Sequence, residues 1–178
     1  MRLNWMAWLA LAVILLPASI AWAEEKPVEE TPAEQELPEV KVRRSIPFSE
    51  GSQIADKIRS ECQLQTSVPH FLDQSSRQVT LVDGDPGKAG LVLDLSIEAV
   101  YAPGGGAWSG PKWMTVVGTL RKNGRKVANF SAKRLSGGGM FAGSKGTCAI
   151  VGRCAKALGS DIATWLEKPE DGAHLGDS

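Results

Sequence analysis

The chain predicts an α+β domain, a two-layer sandwich with an antiparallel-dominated sheet and two main helices on one face. Three observations point there. Residues 91–101 (LVLDLSIEAVY) alternate apolar and other side chains with period two, the pattern of a half-buried strand. Two more alternating runs follow, joined by Asn123-Gly124, so that 90–135 reads as a three-stranded meander. Residues 147–167 then repeat apolar side chains at helical spacing, with Pro169 as the stop.

Within the meander, Leu91, Leu93, Leu95, Ile97, Ala99 and Tyr101 form one row, and Met114, Val116, Gly118 and Leu120 form its partner. Asp94, Glu98, Arg121 and Lys133 share the other face with Val92, Val100, Trp113, Val117 and Val127. A two-residue type I′ turn at Asn123-Gly124 would place Phe130 on that outer face. A three-residue loop, Lys122 to Gly124, pairs Arg121 with Arg125 and returns Ala128, Phe130 and Ala132 to the core side, opposite Gly118, Val116 and Met114. Burial of Phe130 favours the second.

Residues 1–23 carry Arg2, an apolar run and Ala21-Trp22-Ala23, which reads as a secretory signal peptide. Residues 24–40 are acidic, rich in proline and free of aromatics, the composition of a disordered linker. The single α+β domain is expected over 41–167, and 168–178 as a flexible tail. Within it, 41–48 predicts a short strand, Ser49 or Ser52 a cap for a helix reaching Cys62, 67–76 a short helix opened by Pro69, and 79–82 a strand. Ile54, Ile58 and Cys62 share one helix face. In the last helix Val151, Cys154, Ala155, Leu158, Ile162, Trp165 and Leu166 form the apolar stripe, with Arg153, Lys156 and Asp161 toward solvent. With 20 bases against 20 acids, the chain lacks the charge for bulk nucleic-acid binding or electrostatic attachment to a membrane. After cleavage of the leader no stable membrane insertion is expected.

The three cysteines stand in a compartment that permits disulfides. Cys148 and Cys154, if both helical, are about 9 Å apart along the axis, beyond the ~4.4–6.8 Å span of a cystine. Cys62 is therefore the shared partner. Cys148 is the better placed of the two, because a helix end can adjust its path; Cys154 remains the alternative. A Cys62–Cys148 bridge would add roughly 3–4 kcal/mol in the chain-entropy model. No metal site and no cofactor are expected, since no Cys-x-x-Cys occurs and His70 and His174 are remote.

Chemistry-bearing patterns are few. The glycines of 138–146 resemble a phosphate loop, but Ser144 separates Gly143 from Lys145 and Gly146 follows the lysine. Lys145 and Gly146 at the helix entrance retain only a weak anion-binding role. His174 lies in the tail, so no Ser-His-Asp set can be assembled. Asp94 and Glu98 would stand roughly 13 Å apart, too far for paired glycosidase carboxylates. Asn129-Phe130-Ser131 fits a glycosylation acceptor but lies within a strand. The loop 103–111 sets one aromatic, Trp108, on glycine-rich backbone, where function often resides.

Asp94 to Glu98, Gly104 to Gly106, Gly118-Thr119-Leu120 before Asn123-Gly124, Ser136 to Gly139, and Gly146-Thr147-Cys148 through Leu166 together resemble a family of uncharacterised bacterial secreted proteins, over roughly 45–167. More distantly, the element order resembles envelope domains of the CsgG and TolB N-terminal kind, which implies a role in outer-membrane assembly or transport. The expectation is a non-enzymatic periplasmic or secreted module. It would bind another envelope protein through Val100, Trp113, Val117 and the Trp108 loop. A glycan- or small-anion-binding module is the alternative, and a hydrolase stands last.

Overall fold

In this computed structural model the described residues are 38–104, 110–136 and 146–177. The leader, most of the linker, and the loops holding Trp108 and Lys145 lie outside them. The elements run β1 (Val40–Arg43), α1 (Asp56–Glu61), α2 (Leu64–Ser75), β2 (Val79–Val82), β3 (Leu91–Tyr101), β4 (Lys112–Lys122), β5 (Arg125–Ser136), α3 (Thr147–Glu167) and β6 (Ala173–Gly176). The strands form one six-stranded sheet in the order β2-β1-β3-β4-β5-β6. It is mixed. β3-β4 and β4-β5 are antiparallel, whereas β1 is parallel to both β2 and β3, and β6 is parallel to β5. Each crossover that creates a parallel pair carries helix, α1 and α2 before β2 and α3 before β6, as parallel connections require.

Buried side chains of α2 and α3 join Val40, Val42, Leu93, Leu95, Ile97, Met114, Val116 and Phe130 in one apolar cluster. The helices pack tightly at Gly159, where a Cβ would stand 2.7 Å from Phe71 Cβ and 2.8 Å from Leu72 N. Helix α2 begins three residues before its expected start because Pro69 is tolerated inside it. Proline cannot donate to the carbonyl four residues back. That carbonyl, Gln65 O, instead accepts the Ile46 N–H at 3.0 Å, tying the segment after β1 to the helix. Ser49 and Ser52 cap nothing. Helix α1 starts at Asp56 after Ala55; Ser49 Oγ bonds Ser96 Oγ at 3.0 Å, and Ser52 accepts from Arg59.

The β4-β5 turn corrects the expected register. Asn123 and Gly124 both have positive φ, +52° and +80°, as a type I′ turn needs, and Lys122 pairs with Arg125. The extra residue falls later, at Val127, so that Leu120 pairs with Ala128 and Phe130 with Gly118. Phe130 is core-facing, as expected, but two residues from the expected partner. A second bulge, at Glu98, reverses the end of β3: Val100 opposes Met114 and Tyr101 opposes Trp113.

Residues 168–177 are no loose tail. Asn129 Oδ1 accepts the Gly172 N–H at 2.7 Å, and Asp171 Oδ1 accepts the Asn129 N–H at 3.0 Å. This reciprocal pair starts β6 in register. Asp177 closes it, its two carboxylate oxygens accepting from Arg134 Nη1 at 3.1 Å and Leu135 N at 2.7 Å. Four residues are too short a run for alternation to be read from sequence. Among the described residues no helix is long and apolar enough to cross a membrane.

Candidate functional site: the outer face of the sheet

The sheet face opposite the apolar cluster carries two of the residues expected to make contact, Trp113 and Val117. Trp113 is half-buried near the start of β4. Its ring stacks on Tyr101, with centroids 5.9 Å apart and planes at 17°, and Lys133 Nζ stands 5.3 Å from its centroid. Cross-strand aromatic pairs of this kind stabilise an antiparallel ladder by about 0.2–1 kcal/mol. Leu135, opposite Trp113 on β5, is 45% exposed and Tyr101 is 51% exposed. The three form an apolar end to the outer face.

Val117, two pairs further along β4, is half-buried beside a cleft lined by Arg43, Pro47, Asp94, Ser96 and Thr119. Val100 is corrected. The Glu98 bulge turns it into the core at 8% exposure, and Tyr101, expected inside, takes its place outside. Strict alternation hid this exchange, because neither residue type marks a bulge.

At the other end of the outer face, Arg121 Nε bonds Asp94 Oδ2 at 3.0 Å, both half-exposed, which is worth under about 1 kcal/mol. The stronger electrostatic node is Arg134. Its guanidinium binds both Asp161 oxygens at 2.6 Å and also reaches Asp177. The bond to Asp161 holds the guanidinium well above its ordinary range against the desolvation that opposes it. Asp161 thus ties α3 to β5 instead of facing water alone.

Cys62 and Cys148 form a disulfide that ties the end of α1 to the first turn of α3. Cys154 is free and buried; burial pushes its thiol up to about 11. Gly146 caps α3 with its carbonyl, which accepts from Ala149 and Ile150, while Lys145 lies outside the described residues. His70 is exposed on α2 with Gln74 as its bonding partner, and His174 is on β6, so the two histidines do not meet. Among the described residues no group of three or more histidine, cysteine or acidic side chains is placed to hold a metal ion.

No family model matches the chain, and no curated protein sequence matches it. It is similar to several solved structures. One is an uncharacterised protein at 10% identity, over 72% of this chain and 94% of that one, with a TM-score of 0.45. Another is the PelC dodecamer from Paraburkholderia phytofirmans at 12% identity, over 69% and 86%, with a TM-score of 0.41. A third is a minor lipoprotein from Acinetobacter baumannii at 12% identity, over 73% and 90%, with a TM-score of 0.39. Likenesses of this size leave the activity, partner and anchoring of this chain unassigned, and they lend nothing to the resemblance to CsgG and TolB domains.

Proposed function

We propose that the protein is a non-enzymatic module of the bacterial envelope, periplasmic or secreted, that binds another envelope protein through its outer sheet face. In this reading 1–23 is a cleaved leader and 24–40 a linker. The helices cover one side of the sheet as a two-layer sandwich, leaving the other side for the partner. The observation that carries it is the aromatic end, where Tyr101 and Leu135 are exposed on either side of Trp113. Large apolar side chains gathered at one place on a surface mark contact sites. Aromatic anchors usually carry most of the binding energy at such contacts. The leader and the disulfide support export to an oxidising compartment.

The test is site-specific photo-crosslinking in cells. A crosslinker at Leu135 captures a defined partner, and one at Lys156, on the exposed side of α3, does not. Tyr101→Ser with Trp113→Ser removes the Leu135 adduct while the unfolding midpoint stays in the folded range. Equal capture from Leu135 and Lys156, or an adduct indifferent to the two serines, overturns the reading.

A further inference from the structure

On the outer face the register sets Ala99, Thr115, Lys133 and Gly176 in one row across β3, β4, β5 and β6. The next row is Ser96, Val117, Ser131 and His174. Gly176, at the β6 end of the first row, borders a depression of about 320 Å³ lined by the polar Thr115, Ser131, Lys133, His174 and Asp177 together with Leu175. That is the small end of the range for ligand sites, room for one ring and not for a chain.

The polar groups around it are uncommitted. Thr115 is 8% exposed, yet its hydroxyl has no hydrogen-bond partner among the described residues. No side-chain oxygen sealed from solvent lacks a partner there. The Thr115 hydroxyl therefore opens onto the depression. Ser131 Oγ and the His174 ring are likewise without side-chain partners among the described residues. Neighbouring strands hold such groups about 4.8 Å apart, a spacing that suits several hydroxyls on one ring better than a single compact ion.

The charge is mixed, since the Asp177 carboxylate lines the depression and feels the Lys133 ammonium. Lys133 makes no ion pair among the described residues, and its ammonium rests over the Trp113 ring. Both oxygens of Asp177 are already taken by Arg134 and the Leu135 N–H. Trp113 stands two residues from Thr115 on the same face. Its ring is stacked by Tyr101 and also approached by Lys133.

We propose that this depression binds the ring of a carboxylated sugar. The Thr115, Ser131 and His174 side chains bond its hydroxyls. Lys133 turns from the Trp113 ring to the carboxylate, and the C–H face of the sugar replaces the ammonium over the indole. The site shares the Trp113 ring with the protein contact proposed above but uses neither Tyr101 nor Leu135, so Lys133→Met and His174→Ala test it separately from that contact.

Calorimetric titration of the purified protein with glucuronic acid, glucose and acetate tests it. Glucuronic acid binds saturably. Glucose and acetate, each carrying half of the recognised chemistry, bind at least about tenfold more weakly. Lys133→Met lowers glucuronate affinity about tenfold and leaves glucose unchanged, whereas Ser131→Ala weakens both sugars about fivefold. His174→Ala, on an exposed position of β6, repeats the Ser131 result without touching the core. Tyr101→Ser binds like the wild type. Absence of saturable glucuronate binding, acetate binding as tight as glucuronate, or Lys133→Met and His174→Ala variants that titrate unchanged would each overturn the proposal.

Discussion

Replacing Gly118 with alanine separates packing from backbone propensity, because the two predict opposite signs. Glycine inside a strand is worse than alanine by about 0.5–1 kcal/mol, so propensity alone says that Gly118→Ala stabilises. The structure says otherwise. A Cβ on Gly118 would overlap Phe130 Cε1 and Cζ and come within 2.9 Å of Leu95 Cδ2. The Phe130 ring cannot withdraw, since Trp165 meets it at 4.7 Å between centroids in an edge-on contact. Overpacking of this kind costs about 1–3 kcal/mol. With the tight end of that range offset by propensity, Gly118→Ala should destabilise by about 2–2.5 kcal/mol. The assay is urea unfolding with the disulfide intact, comparing midpoints at constant slope. Phe130→Leu removes the ring atoms that collide, so the double variant should lose at least about 1 kcal/mol less than the sum of the singles. A stabilised Gly118→Ala, or a double variant additive within about 0.5 kcal/mol, would refute the reasoning.

Three further outcomes follow from the same geometry. Gly159→Ala should cost about 2–3 kcal/mol despite alanine's helical advantage, because its Cβ would meet the Phe71–Leu72 backbone, which cannot rotate aside; an unchanged unfolding midpoint would contradict this. Burial raises the Cys154 thiol from its ordinary 9.0 to about 11. Its contribution is therefore fully present below pH 9.0 and lost as pH rises through about 11. Midpoints of wild type and Cys154→Ala across that window should converge, and parallel curves would count against it. The Lys126 bond holds the Asp171 carboxyl below its ordinary range, and the Leu135 N–H does the same for Asp177. The stabilisation both lend β6 is present above the ordinary carboxylate value and lost as pH falls through the lowered one. Protection factors along β5, taken relative to the intrinsic exchange rate at each pH, should fall on acidification, and Asp171→Asn with Asp177→Asn should bring the same fall to neutral pH; protection equal to wild type would exclude the clamp.

Long periodic segments were legible in this sequence, as was one short strand, whereas the partners of short strands and the irregular positions were not. The last helix runs from Thr147 to Glu167 as its apolar stripe predicts, and the strand at Val79–Val82 has its expected ends. The cystine followed from helix rise, which excludes Cys148 with Cys154, and from the freedom of a helix end. Strand β6 was missed because its partners act across distance. Asn129 and Arg134 hold residues some forty positions away, and nothing in 168–178 announces them. Parallel pairing of β1 was invisible for the same reason. A four-residue strand declares neither its neighbour nor its direction. Of the contact residues, Trp113 and Val117 keep the face that period two assigns them, and Trp108 lies outside the described residues.

The two bulges explain why the site was harder to read than the core. A core tolerates one inserted residue only if the apolar rows close up again on the same side. Val127 does that for β5. The Asn123-Gly124 turn keeps its preferred two-residue form, and the bulge then restores Ala128, Phe130 and Ala132 to the helices. Glu98 acts in the opposite sense on β3. It brings Val100 under the helices to fill space beside Met114, and it turns Tyr101 out beside Trp113. One glutamate thus converts the end of an inward row into half of the exposed aromatic pair. The proposed contact surface is a product of that insertion. Deleting Glu98 removes only the unpaired residue and leaves Ala99, Val100 and Tyr101 opposite Thr115, Met114 and Trp113, so the aromatic pair should survive the deletion; an unstacked Tyr101 in that variant would count against this account of the bulge.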